Sequence, residues 1–360
     1  AAFVLRSFKN PRAYTDEEII EQLEKTRVVR IDDESNDLEE TDAFLESTFQ
    51  FEDDLQPSFI SFLGPTGAGK STILRIILQT LGSMDPFSLY PISGNESARS
   101  TTSDLHLYRG PFLEPARGNL QTLFFDSEGI DGTTLPIGSM VAAATASVTP
   151  NYLARRRNHV NQSYPKLVYL FSDVVCFVTQ SNWREKQFLD TLIDWASQGS
   201  ANIVNQGIKP KLIIIFNKIE PEDFSDYENI DGNTLAFLNS DPDRINTLYK
   251  YFTNPKVVFL PHATNLIKFS RQIDRLNQLI VEDLLSIRQR RQQSLQLLTI
   301  SNFRSCFSIA LNNFNNNHGF DFSSFVRNYE LFNDSSKWLI QLFLKITKIY
   351  KDIEKAASII

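Results

Sequence analysis

The residues with the clearest chemical assignment lie between Gly64 and Thr72. Gly64-Pro65-Thr66-Gly67-Ala68-Gly69-Lys70-Ser71 matches the pattern G-x-x-x-x-G-K-[ST]. Gly67 and Gly69 let the backbone curl so that successive N–H groups point into one concavity, which binds phosphate oxygens. Lys70 places a cation at the β- and γ-phosphates, the Ser71 hydroxyl can ligate Mg2+, and Thr72 completes the phosphate-binding set. The chain has only 14 glycines, and three of them fall in this loop. The cluster is therefore a specific signal rather than a glycine-rich background.

Two further segments supply what a phosphate loop needs beside it. Asp126-Ser127-Glu128-Gly129 follows the apolar run TLFF. An Asp at the end of such a strand can hold Mg2+ through water. Gly129 can donate its N–H to a γ-phosphate, so the segment after it would respond to that group. Glu128 reads equally well as part of the water network or as a solvated side chain. The stretch Ser100-Thr101-Thr102-Ser103-Asp104 lies where a threonine would complete the Mg2+ coordination. Thr102 is the first choice and Thr101 the second, with an ordinary Ser/Thr loop as the alternative.

Asn217-Lys218-Ile219-Glu220 closes the run LIIIF. In guanine-nucleotide proteins the matching N-K-x-D uses its carboxylate to accept hydrogen bonds from guanine N1–H and the exocyclic amine, a donor pair that adenine lacks. Here Glu220 replaces the Asp. Its extra methylene keeps the acceptors but moves them by on the order of 1 Å, which predicts guanine preference with weaker discrimination. The alternative is that Glu220, with Glu222 and Asp223, opens a solvated acidic loop and base selection is loose.

The elements that position these residues are legible as patterns. Phe59–Leu63 reads as a buried strand before the glycine loop, and Ser71–Leu81 as a helix ending at Gly82. Leu105–Tyr108, Thr122–Phe125, Val174–Thr179, Leu212–Phe216 and Val257–Leu260 read as strands. Leu167–Leu170 and Trp183–Ile203 read as helical. Fully apolar strands alternating with helices predict an α/β P-loop NTPase fold (a G domain), with a mainly parallel sheet and helices on both faces. Asp16–Val29 is expected as one amphipathic helix, with Thr15 as N-cap and Glu18 closing a capping box. From Leu266, apolar residues recur at three- and four-residue steps through Phe269, Ile273, Leu276, Ile280, Leu284 and Ile287. This predicts one long helix, followed by two or three more. The expected organisation is an acidic N-terminal segment over 1–54, the G domain over 55–265 and a helical region over 266–360.

Composition bounds the rest. The length suits one large domain or two ordinary ones, and 42% apolar residues with 28 Phe exclude wholesale disorder. A net charge of −7 excludes a generic basic nucleic-acid binder. Cys176 and Cys306 are too few for a disulfide framework and point to a reducing, cytoplasmic setting. No apolar run approaches the roughly 18–20 residues of a membrane span. The four histidines are dispersed and show no metal-ligand spacing. The chain begins AAFVLRSFKNP, without Met or a hydrophobic leader, and ends in a helical pattern, so it reads as a piece of a longer protein. Charge is unevenly placed: residues 1–57 hold 16 acidic and 6 basic side chains, whereas residues 264–360 hold 8 and 13. The acidic run reads either as a solvated linker or as a mate for the basic C-terminal third.

Taken in order, GPTGAGKS, STTS, DSEG and NKIE form the G1–G4 set of a GTPase domain. Within that group the chain resembles the dynamin superfamily, especially its guanylate-binding-protein and atlastin-like branch. DSEG resembles that branch's D-T-E-G, and YPKLVYLFSDVVCFV its helix-to-strand passage. HLYRG, FFDSEGIDG and YPKLVYLFSDVVCFV are also similar to a group of large, uncharacterised fungal P-loop proteins. The resemblance covers roughly residues 55–265. It implies Mg2+-dependent hydrolysis of GTP to GDP and phosphate, a helical region after the G domain, and a homodimer formed across the nucleotide face. Two departures matter. Guanylate-binding proteins carry an arginine where this chain has Gly67, and Ile130 stands where small GTPases have a glutamine. An arginine finger contributes roughly 10³–10⁵ in rate, so slow basal turnover is expected. Arg99, just before the threonines, is one substitute. Arg155, Arg156 and Arg157 are another, as a finger in trans or a dimer contact, unless they form a solvated basic face. Two alternatives stay open: a non-hydrolysing, nucleotide-dependent interaction module, and an ATPase using the same loop. No lipid-binding feature stands out, and no nucleic-acid partner is expected.

Overall fold

A computed structural model describes residues 16–32, 37–49, 51–82, 89–91, 102, 104–113, 120–130, 154, 156–181, 187–204, 206–220 and 227–326. Among these, eight strands form one sheet. They are β1 (Arg27–Ile31), β2 (Leu38–Glu40), β3 (Ser58–Leu63), β4 (Leu105–Leu113), β5 (Leu120–Ser127), β6 (Val174–Thr179), β8 (Lys211–Ile219) and β9 (Thr253–Pro261). The order across the sheet is β2-β1-β4-β5-β3-β6-β8-β9. β5, β3, β6, β8 and β9 run parallel to one another. β4 runs antiparallel to both β5 and β1. The six residues between β4 and β5 are too few for a parallel crossover, which needs a dozen or more.

The parallel strands are apolar at nearly every position because both faces are covered. One face carries Ile60, Phe62, Cys176, Val178, Ile213 and Ile215. Helices α3 (Lys70–Leu81) and α8 (Leu266–Gln293) cover it. The other carries Phe59, Leu63, Val175, Phe177, Leu212 and Phe216, under α4 (Tyr164–Phe171), α5 (Gln187–Ser200) and α9 (Ile300–Asn315). Two short helices, α6 (Ile230–Leu238) and α7 (Pro242–Leu248), lie between β8 and β9. The fold is thus an α/β P-loop architecture with a mainly parallel sheet and helices on both faces. The expected long helix from Leu266 is a single element of 28 residues. It belongs to the layer covering the sheet rather than lying beyond it.

The N-terminal reading needs correction. The expected helix over Asp16–Val29 stops at Glu24 as α1, and Arg27–Ile31 is a strand. Val28 and Val29 are both fully buried, and β-branched residues covered on both sides suit a strand better than a one-sided helix. Thr26 Oγ1 is 2.9 Å from His106 Nδ1, which ties the turn before β1 to β4. Thr15, the expected cap, lies outside the described residues. Across the 54/55 division, β1 and β2 extend the same sheet, so the described part of the acidic stretch is structured rather than a free linker. α5 ends at Ser200, before the expected Ile203, and Ile203–Val204 forms β7, paired with β10 (Phe320–Asp321); residues 183–186 of the expected helix lie outside the described residues.

The two ends of the described chain meet. In α2 (Asp42–Phe49), Phe44 stacks on Phe307 of α9 with ring centroids 4.5 Å apart. Arg304 pairs with Asp53 at 2.6 Å and donates to the Thr48 carbonyl at 2.6 Å. The Asn315 amide donates to the Leu38 carbonyl and accepts from its N–H, both at 2.9 Å. Of these contacts one is an ion pair, and the others are a ring stack and side-chain-to-backbone hydrogen bonds. Residues 327–360, including the terminal helical pattern, lie outside the described residues.

Candidate functional site

The glycine loop is threaded between the ends of β6 and β8. Gly64 has φ +139 and Gly69 φ +95. A Cβ on Gly64 would sit 2.0 Å from the Val178 carbonyl oxygen, and one on Gly69 2.5 Å from Asn217 Nδ2. Only glycine fits at either place. The loop is held from outside by side chains: Asn217 Nδ2 donates to the Ala68 carbonyl at 2.8 Å, and Gln180 Nε2 donates to the Gly67 carbonyl at 2.8 Å. α3 starts at Lys70 with no side-chain cap on its first N–H groups, which leaves donors for an anion. Lys70 is buried, and its ammonium donates to the Gly64 and Pro65 carbonyls at 3.1 Å each. Burial pulls its pKa down, while Asp126 and Glu128 oppose that.

At the head of α3 the structure brings Ser71, Thr102 and Asp126 together. Ser71 Oγ donates to Asp126 Oδ2 at 2.7 Å, Thr102 Oγ1 lies 3.2 Å from the same oxygen, and the two hydroxyls are 2.9 Å apart. The parallel register pairing Phe62 with Asp126 delivers this carboxylate to the mouth of the loop. Asp126 is fully buried and its Oδ1 has no hydrogen-bond partner. Burial raises its pKa, against Lys70 and the two hydroxyls. Two hydroxyls and one carboxylate oxygen left without a donor are hard oxygen ligands. They fit Mg2+, which favours such a set and keeps several waters. Thr101 and Arg99 lie outside the described residues.

Gly129 lies directly against the loop. A Cβ there would meet Thr66 Oγ1 at 2.4 Å and Thr66 N at 2.8 Å. The next residue closes a bridge to Pro65: Thr66 N donates to the Ile130 carbonyl at 3.2 Å, and Ile130 N to the Gly64 carbonyl at 3.1 Å. At the end of β8, Asn217 is buried, whereas Lys218 (φ +61) and Glu220 are exposed.

Three features escaped the sequence reading. The loop after β9 adjoins the turn at the end of β8, because His262 N donates to the Ile219 carbonyl at 3.1 Å. Its only signal is its place after the last parallel strand. Glu128 is neither a water ligand nor solvated: it is buried and paired with Arg156. Arg156 is not on a solvated basic face or free to act in trans. It is buried between Glu128 and Asp104, the latter at 2.8 Å. Arg157 is exposed, and Arg155 is outside the described residues.

No family model and no curated protein matches the chain. Solved structures with a similar fold include three of note. A bacterial selenocysteine-specific elongation factor is 15% identical, with 64% of this chain and 29% of that one covered and a TM-score of 0.35. A variant of SsGBP is 14% identical, with 68% and 60% covered and a TM-score of 0.33. A Methanosarcina barkeri Roco protein bound to GDP is 14% identical, with 65% and 50% covered and a TM-score of 0.33. The chain therefore spans less than two thirds of each of these chains. Likenesses this loose transfer no residue role, and the site is read from its own geometry.

Proposed function

We propose that this chain is a Mg2+-dependent GTP-binding protein that hydrolyses GTP to GDP and phosphate, slowly in isolation. The observation that carries the reading is the convergence of Ser71, Thr102 and Asp126 at the head of the glycine loop, with Asp126 Oδ1 unpartnered. In this reading the backbone from Gly64 to Gly69, with Lys70 and Thr72, holds the phosphates. Ser71 and Thr102 ligate Mg2+ and Asp126 supports it. Gly129 faces the γ-phosphate. Asn217, Lys218 and Glu220 read the base. Bound Mg2+ would neutralise charge developing on the β- and γ-phosphate oxygens. Nucleotide-dependent homodimerisation, a catalytic role for Arg99 and a cytoplasmic location remain part of the proposal, resting on the sequence.

The test is titration of a fluorescent GTP analogue with and without Mg2+, competition by ATP, and multiple-turnover phosphate release across protein concentrations. Mg2+-tightened binding, displacement by GTP over ATP, and specific activity that rises with concentration are expected. Activity independent of concentration removes the dimer, and equal competition by ATP removes the guanine reading. A second reading, a non-hydrolysing interaction module, is favoured by one observation: the residue after Gly129 is the buried, apolar Ile130, which has no group to orient a water. Tight GTP binding with no phosphate release at any concentration selects it.

A further inference from the structure

Behind the proposed Mg2+ ligands lies a buried ionic cluster that the phosphate chemistry does not use. Asp104, Glu128 and Arg156 are each 7% exposed or less. One nitrogen of Arg156, Nη2, donates both to Asp104 Oδ1 at 2.8 Å and to Glu128 Oε2. Tyr164 Oη donates to the same Asp104 oxygen at 2.9 Å, and Arg27 Nε stands 3.4 Å from the other. The two acidic residues are also joined through the backbone: Asp104 N donates to Glu128 Oε2 at 3.1 Å, and Glu128 N to the Asp104 carbonyl at 2.9 Å.

The positions in sequence give this cluster its meaning. Asp104 is two residues after Thr102, and Glu128 is two residues after Asp126. The two chain segments that carry Mg2+ ligands toward Ser71 are therefore fastened to each other by one guanidinium. Asp104 takes φ +69, a left-handed conformation costly for a residue other than glycine. A surrounding structure must hold it there. Asp104 and Glu128 bring two carboxyl groups together in a buried place, and the Arg156 guanidinium lies between them. Without Arg156, Glu128 would lose its paired cation, and Asp104 would keep only the Tyr164 hydroxyl and the longer contact to Arg27 among its side-chain partners in the described residues. Opening that pair moves the backbone on which Thr102 and Asp126 sit.

Resting on the proposed function, we infer that Arg156 is a positioning residue: it clamps Asp104 to Glu128 and so sets the spacing of the Mg2+ ligands Thr102 and Asp126. It acts on the metal site and not on the phosphate loop, because among the described residues none of its hydrogen bonds or ion pairs reaches residues 64–70.

The test measures GTP affinity of the full chain in EDTA and across a Mg2+ titration, for wild type, Arg156→Gln, Arg156→Lys and Glu128→Gln. In wild type, Mg2+ should tighten binding. In Arg156→Gln and Glu128→Gln the Mg2+ concentration needed for half of that tightening should rise about 10–100-fold, the usual effect of removing a partner behind a metal ligand. Affinity in EDTA should change by less than about 3-fold, since the phosphate loop is untouched. Arg156→Lys, which keeps the charge, should recover part of the loss. A merely structural role would weaken both affinities together. If Arg156→Gln does not fold, Glu128→Gln and Tyr164→Phe carry the same comparison, with a smaller shift for Tyr164→Phe. Unchanged Mg2+ dependence in a folded variant overturns the clamp and leaves the nucleotide reading standing. A wild-type chain with no nucleotide affinity overturns both.

Discussion

Asp126 places a carboxyl group in a dry position and leaves one oxygen without a donor, an arrangement that is unfavourable unless a cation completes it. Asp126→Ala should therefore abolish Mg2+-dependent tightening of GTP binding while leaving a weak Mg2+-independent affinity, read by the same fluorescence titration. Lys70→Ala should remove measurable GTP binding altogether; retained affinity would sink the phosphate-loop assignment. Gly69→Ala probes geometry rather than charge. The new methyl would strike Asn217 Nδ2, break its bond to Ala68 and weaken nucleotide binding with every catalytic side chain still present. At the base, Glu220→Ala should bring the GTP-to-ATP competition ratio toward unity, and an unchanged ratio would show that Glu220 does not read the base. Residues of this kind were legible in the sequence because their backbone or charge requirements restrict them to one or two residue types. Arg156 was not. Within a run of three arginines it reads as surface charge, and its partners lie 28 and 52 residues away in sequence.

Legibility differs in the same way among the elements. The parallel strands stood out as uninterrupted apolar runs because helices cover both their faces, and β6 and the core of β8 were placed almost to the residue. β1 and β2 did not stand out. They are five and three residues long, they carry charges, and their pairing is set by β4 rather than by their own pattern. What fixes that edge is the aromatic contact between α2 and α9. Phe307 is fully buried, stacked on Phe44, with Phe171 at 5.5 Å and Phe303 at 5.6 Å. Phe307→Ala should lower unfolding free energy by about 3–5 kcal/mol, measured by denaturant titration, and speed proteolysis within residues 16–49. The Arg304–Asp53 pair is weaker evidence of attachment, since Asp53 is 74% exposed and such pairs are worth about 1 kcal/mol or less.

For the molecule as a whole, the helical stretch from Leu266 was expected as a region following the nucleotide-binding sheet, and it instead closes one face of that sheet. A chain ending at Ala263 would leave Ile213, Ile215, Val258 and Leu260 without the cover that α8 supplies. It should show no cooperative thermal transition, where the full chain should show one; a folded, GTP-binding fragment would overturn this. The sequence revealed the helix but not its place, because one apolar stripe does not say which surface it meets. α8 also spans the molecule. Its N-terminal end follows the loop bonded to Ile219, at the end of β8. Near its other end Arg291 grips Asp173 at 2.5 Å and Arg288 donates to the Gln56 carbonyl at 2.7 Å. At 28 residues it is a stiff rod of about 42 Å. Were it to pivot at the nucleotide end by about 5°, the far end would swing by about 4 Å. That is farther than the Arg291 and Arg288 contacts can stretch, so such a tilt would uncouple them. The rod can thus turn a small displacement beside Ile219 into a making or breaking of bonds at its far end.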